Sequence, residues 1–147
     1  MAGPQRFEVS ASWDFSSRSG ALETPDGSIR MPHAGASALG GTAGIANPEE
    51  LLLAAVSACF VQTWAIFIEK LKLPVEKALL NGACSVEKDP GGGFRVTAIA
   101  LEPHVPLALW ESRRADVERT LSLAEKYCIV SKAVKASLLL TVKPKPV

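Results

Sequence analysis

The stretch "NPEELLLAAVSACF", Asn47 to Phe60, decides the fold. Asn47 is a residue type that caps helices, because its side-chain oxygen accepts an N–H of the first turn. Pro48 suits the first helical position, where its missing N–H is not needed. Glu49 and Glu50 fall in the first turn, where the helix dipole favours negative charge. Glu50, three residues after Asn47, completes a capping-box pattern. From there the chain is almost wholly apolar to Leu71, before "KLP". A helix over 48–71 spans ~36 Å at ~1.5 Å per residue. That is long for a chain of 147 residues, and it marks the helix as the axis of the fold. Cys59 stands among alanines, valine and phenylalanine. On the residues alone it has two readings, a small core residue or a thiol around which the core is built.

Upstream, "RFEVSASWDF" alternates as a strand does, with Phe7, Val9, Ala11 and Trp13 on one face. "SGALET" and "SIRMP" read as two more strands joined by "PDG", a turn signal. "HAGASALGGTAGIA" reads as a loop into the helix. Downstream, "ALLNGACSVEK" and "FRVTAIALEP" flank "DPGGG" as a hairpin. "WESRRADVERTLSLAEKY" has helical spacing, "IVSKAVK" adds a helical turn or two, and "ASLLLTVKP" is a last strand. The expected boundaries are strands in 6–31, a loop over 32–46, the central helix over 48–71, a hairpin over 78–103, helices in 111–134 and a strand over 136–143. All belong to a single domain, 1–147, with the "KPKPV" end frayed. The order βββ-α-ββ-α-α-β predicts an α+β fold rather than a doubly wound sheet. Six short strands of one chain cover an all-round apolar helix poorly. Two such helices packed together in a homodimer solve this.

Composition narrows the function. The chain is 48% hydrophobic and 21% charged, with a net charge of +1, which fits a globular protein without a basic field for nucleic acid or anionic lipid. The N-terminus carries no apolar run of signal-peptide length. Leu51 to Ile68 lacks charge and reaches the shortest length of a membrane span. Ser57, Gln62 and Thr63 interrupt it, and a central buried helix is the expectation. "GASALGGT" has Gly41 where a phosphate-binding loop needs lysine, so it reads as a Gly/Ala connector. His33 and His104 are isolated and no CxxC occurs, so no metal site is expected. Three scattered cysteines are no secreted disulfide framework, and a reducing cytoplasm is the expected location.

The cysteines remain. Cys84 falls in an alternating strand and reads as core. Cys128 lies between two helical segments, at a helix N-terminus where the dipole favours thiolate. On the residues alone, a functional pairing of Cys59 with Cys128 stays one reading beside two buried, inert thiols.

"NPEELLLAAVSACF" and "AEKYCIVSKAVKASL" together resemble the OsmC/Ohr family of hydroperoxide-reducing proteins. The element order agrees over essentially the whole chain. The resemblance implies an intertwined homodimer, in which two long central helices are wrapped by antiparallel sheets with strands shared between subunits. It also implies a thiol peroxidase that reduces organic hydroperoxides to alcohols. In that scheme Cys59 is the peroxidatic cysteine, oxidised to a sulfenic acid, and Cys128 resolves it as a disulfide. Arg18 in "SSRSG" matches the family's N-terminal arginine, with Arg30 as the second candidate. Glu49 matches the carboxylate that holds the arginine. Ile129 stands where the family has proline.

The implied chemistry has physical requirements. An apolar helix raises a thiol pKa, so a cation such as Arg18 is needed to favour the thiolate and receive the departing alkoxide. Ten residues place Glu49 ~15 Å along the helix from Cys59. Glu49 and Arg18 are therefore expected to reach Cys59 from the partner subunit. Phe60, Trp64 and Trp13 are the candidate walls for a greasy hydroperoxide, with plain dimer core as the other reading of these aromatics. No bound cofactor is expected, and an external dithiol, of lipoyl type by the resemblance, reopens the disulfide. The competing readings are a small apolar-ligand carrier without peroxidase activity and a thiol acyl- or alkyl-transferase. The second lacks a promising general base.

Overall fold

The computed structural model describes residues 3–147. The chain divides into two compact units, one reaching to Leu51 and one from Leu52 to Val147.

The first unit holds a small antiparallel sheet, β1 (Ser10–Ala11), β2 (Gly20–Glu23) and β3 (Arg30–His33), in the order β1-β2-β3. Asp26 and Gly27 turn β2 into β3. Gly27 takes φ 73°, a conformation that costs glycine nothing. The Asp26 carboxylate accepts the Ser28 N–H and the hydroxyls of Thr24 and Ser28, which holds its pKa down to about 2. The strand expected through Phe7–Trp13 is largely missing. Ser10 and Ala11 pair with β2 and Asp14 makes a lone bridge to Ser19, while Phe7 is 94% and Phe15 87% exposed. Alternation alone makes a strand only where a sheet receives it.

Helix α1 runs Pro48–Lys70. Its start is capped reciprocally: the Glu50 N–H donates to Asn47 Oδ1 (2.8 Å), and the Asn47 N–H donates to Glu50 Oε2 (3.2 Å). Its end is a Schellman turn, with the Leu73 N–H on the Ile68 carbonyl and the Lys72 N–H on the Glu69 carbonyl. Lys72 takes the left-handed conformation usually given to glycine (φ 51°). Arg113 donates to the carbonyls of Leu71 and Lys72, tying this end to a later helix.

In the second unit, β4 (Leu79–Lys88) and β5 (Phe94–Val105) form the expected hairpin. After β5 come α2 (Leu107–Ser112), α3 (Arg114–Tyr127) and α4 (Ile129–Val134), then β6 (Leu139–Val142) and β7 (Lys145–Pro146). Both β6 and β7 pair with β5 in parallel, so this sheet is mixed rather than antiparallel. The three-helix crossover gives β6 the chain length that parallel pairing requires. The C-terminal end is not frayed. Val147 exchanges backbone hydrogen bonds with Val105 and Leu107, each 2.7 Å.

Every fourth residue of α1 from Val56 onward, namely Phe60, Trp64 and Ile68, is buried. This stripe packs with Ile99, Leu101, Val117, Leu121 and Ala124 into one core. Trp64 is its largest member, and its indole N–H donates to the Thr120 hydroxyl at 3.0 Å. Thr120 passes its own proton to the Val117 carbonyl at 2.7 Å, so the buried polar pair is satisfied. Helix α1 is long and apolar enough to cross a membrane, with a hydropathy of 2.1, yet this stripe makes it a wall of the core.

Candidate active site

Two of the three cysteines meet. Cys59 lies at mid-length in α1, on the flank of the buried stripe, and is half-buried. Cys128 is fully buried at the joint between α3 and α4. Its extended backbone (φ −67°, ψ 110°) ends one helix and caps the next, which bends the chain back toward α1. The two thiols are within hydrogen-bonding reach of each other. Cys84 lies on β4 opposite Ile99, packed against the core.

The electrostatics of the two sulfurs diverge. Burial pushes the Cys59 thiol up, but four hydrogen bonds outweigh it and leave its pKa below the usual thiol value. They come from the Val130 N–H, the Cys128 thiol, the Ile129 N–H and the Thr63 hydroxyl, in falling order. The Thr63 hydroxyl also donates to the Cys59 carbonyl (2.8 Å), so it turns to the sulfur only by leaving that acceptor. The backbone donors are permanent. Cys128 goes the other way. Burial raises its pKa, hydrogen bonds from Ser131 offset part of this, and the neighbouring Cys59 raises it again. Ser131 Oγ donates to Cys128 Sγ at 2.9 Å. Cys128 does stand at a helix N-terminus, as expected, but burial raises its pKa there instead of the dipole lowering it. The first two N–H groups of α4 point at Cys59, and Cys128 stays a buried thiol that donates to it.

A groove of about 420 Å³ opens beside Cys59. Three turns of α1 form one wall through Thr63, Ile66, Phe67 and Lys70. Tyr127 and Ile129 form the other. Phe60 and Trp64, expected as substrate walls, are not in it. Both are buried in the core, because a residue one or five positions from Cys59 projects from a different face of the helix. Sequence reasoning missed Thr63 and Val130, and took Ile129 only as a departure from the family's proline. The first is one turn from Cys59 and was legible from helix spacing. The others act through backbone groups or through a junction that only folding creates.

The remaining candidates lie in the first unit. Trp13 is 45% exposed, with its ring 6.0 Å from that of His33. Arg18 ends a tight turn after Asp14 in the left-handed conformation (φ 53°), exposed and in no ion pair among the described residues. Arg30 is committed to Glu23, with Nε and Nη2 on one carboxylate oxygen at 3.0 and 2.7 Å. Glu49 holds a buried carboxylate oxygen, Oε2, with no hydrogen-bond partner among the described residues. Among those residues, no group of His, Cys, Asp and Glu is arranged to hold a metal ion.

No curated protein sequence matches this chain. Solved structures do. An organic hydroperoxide resistance protein OsmC of Legionella pneumophila superposes with a TM-score of 0.80 at 23% identity, over 98% of this chain and 99% of that one. The organic hydroperoxide resistance protein OhrB of Bacillus subtilis gives 0.73 at 23% identity, over 96% and 98%. An OsmC-like protein of unknown function from Vibrio cholerae gives 0.81 at 18% identity, over 97% and 100%. These share the α+β fold with its long helix. The sequence profile of OsmC-like proteins matches residues 41–143, which take in α1, both meeting cysteines and the mixed sheet except β7. With the fold and that match in agreement, the chain belongs to the OsmC-like family.

Proposed function

We propose that the protein is a thiol peroxidase that reduces organic hydroperoxides to alcohols through Cys59 and Cys128. One observation carries this reading: Cys59 is stabilised as a thiolate by the Ile129 and Val130 N–H groups, beside a buried Cys128 thiol, at the head of an apolar groove. The names of the hydroperoxide resistance proteins that share the fold support it.

The Cys59 thiolate attacks the distal oxygen of ROOH. The O–O bond breaks, sulfur loses two electrons, and RO⁻ leaves and is protonated to the alcohol. Cys59 is then a neutral sulfenic acid, and the negative charge that raised the Cys128 pKa is gone. Cys128 ionises more readily at the moment its thiolate is needed. It displaces hydroxide from the sulfenic sulfur, which takes up a proton as water, and a disulfide forms. An external dithiol, of lipoyl type on the family resemblance, returns two electrons. No resident cofactor takes part, and a reducing cytoplasm suits the paired thiols.

The functional unit is a homodimer in this reading. Ala54, Ala55, Ala58 and Ile66 leave apolar surface exposed along α1, and the apolar N-terminal segment around Phe7 has no strand partner among the described residues. A second copy covers both. Glu49 lies ten residues from Cys59, ~15 Å along the helix, so Glu49 and Arg18 of the partner subunit complete the site. A buried carboxylate oxygen without a partner calls for a cation, and Arg18 is uncommitted where Arg30 is not. Ala55→Glu places a charge in this interface, and light scattering should show a monomer with at least about tenfold lower peroxidase activity. Full activity in a monomer would exclude the shared site.

Mass spectrometry after one equivalent of cumene hydroperoxide tests the function. A Cys59–Cys128 disulfide, lighter by two hydrogens, is the expected product. An unmodified protein would favour a carrier of small apolar ligands.

A further inference from the structure

Among the described residues, Thr120 and Ser131 are the buried polar side chains, and neither has exposed surface. Thr120 is accounted for by the Trp64 indole that it anchors. Ser131 has a different partner. It lies in α4 three residues after Cys128, and its hydroxyl donates to Cys128 Sγ at 2.9 Å. A serine hydroxyl carries one proton, so its single donor is spent on the sulfur. That is a poor return in the resting protein. Burying a hydroxyl is costly, a neutral thiol is a weak acceptor, and alanine is the better residue for a helix. The return improves when the sulfur is charged, because a hydrogen bond to an anion is roughly twice as strong as one to a neutral group. The contact therefore fits an ionised Cys128 better than the protonated form that the resting site holds.

On the reading of Cys59 as peroxidatic, we propose that Ser131 is a catalytic residue of the second half-reaction: its hydroxyl holds the Cys128 sulfur as that atom takes on negative charge and attacks the sulfenic sulfur of Cys59. The Cys128 S–H bond breaks and the S–S bond forms. The S–O bond of the sulfenic acid breaks, and the hydroxide leaves with that proton as water. Ser131 keeps its own proton throughout, so it acts neither as acid nor as base. Its contribution is an interaction that strengthens only as the charge develops. It thereby shortens the life of the sulfenic acid. A second hydroperoxide that reached this species first would oxidise it to a sulfinic acid and leave as the alcohol, ending turnover.

Ser131→Ala removes the donor and fills nearly the same space. Each protein is mixed with one equivalent of cumene hydroperoxide, quenched at intervals with a sulfenic-acid trap and weighed by mass spectrometry. The variant should form the disulfide about tenfold more slowly near neutral pH, a loss in the range of one hydrogen bond to a charged group. This should far exceed any slowing of sulfenic-acid formation. Without the donor the Cys128 thiolate is less favoured, so the rise of the resolving rate with pH should move to higher pH. The deficit should close in alkali, where Cys128 ionises with or without the hydroxyl. Under excess hydroperoxide the variant should also collect more Cys59 sulfinic acid. An unchanged resolving rate would overturn the assignment. So would a deficit of the same size at every pH, which is what a merely displaced Cys128 gives. If the wild type forms neither sulfenic acid nor disulfide, the peroxidase reading falls, and this inference with it.

Discussion

On the proposed function, Cys59→Ser should abolish hydroperoxide consumption, lowering the rate by at least about a thousandfold, whereas Cys128→Ser should consume one equivalent and then stall. The asymmetry follows from the two environments. The N–H groups of Ile129 and Val130 bring the Cys59 pKa below the usual thiol value, while burial pushes that of Cys128 up. Serine at 59 has no nucleophile of comparable strength near neutral pH. Serine at 128 leaves the attack intact but cannot close the disulfide, so the sulfenic acid waits for an external thiol. Single-turnover kinetics with a sulfenic-acid trap distinguish the two. Equal multiple-turnover rates in both variants would sink the two-cysteine scheme.

The same geometry sets the sign of a pH effect. Ile129→Pro removes one N–H donor and keeps that of Val130. Proline suits this position because it opens α4 and the preceding Cys128 is already extended. With less stabilisation of the anion, the Cys59 pKa rises. The rise of the alkylation rate with pH should shift to higher pH, and the rate near neutrality should fall. The family resemblance puts proline here, so the chain gains a thiolate donor from its isoleucine.

Trp64→Ala costs about 3–5 kcal/mol of stability, a large share of the ~5–15 kcal/mol typical of a domain. The side chain is 2% exposed at the centre of the core, and its removal leaves a cavity that packed neighbours cannot fill. Thr120→Val tests the polar half of the contact, leaving the indole N–H buried and unpaired at a cost of about 1–3 kcal/mol. Urea unfolding should show a lower midpoint with an unchanged slope in each case. In Trp64→Phe, which keeps the core nearly filled, KM for cumene hydroperoxide should stay at the wild-type value. A raised KM would return Trp64 to the substrate wall.

Much of the fold was legible because its signals are local. The Asn47–Glu50 capping pair, the apolar run to Lys70 and the "DPGGG" turn each fold on their own terms, and all appear in the structure. The parallel pairing of β6 and β7 on β5 was not legible, since strand direction depends on the crossover between them. The N-terminal strand was over-read because alternation describes a surface and not its partner. At the site, the cysteine pair was raised by the resemblance, while the residue types alone left it undecided.

The amino-acid sequence by itself determined a capped apolar helix carrying a thiol, and an α+β order of elements around it. Only the tertiary structure decided which thiol has the lower pKa. Backbone N–H groups carry no sequence signature. The bend at Cys128 aims those of Ile129 and Val130 at Cys59 and buries the second thiol behind it. It also decided the walls of the groove. One position along a helix turns a side chain by about 100°, which sends Phe60 into the core and leaves Cys59, Ile66 and Lys70 to line the groove.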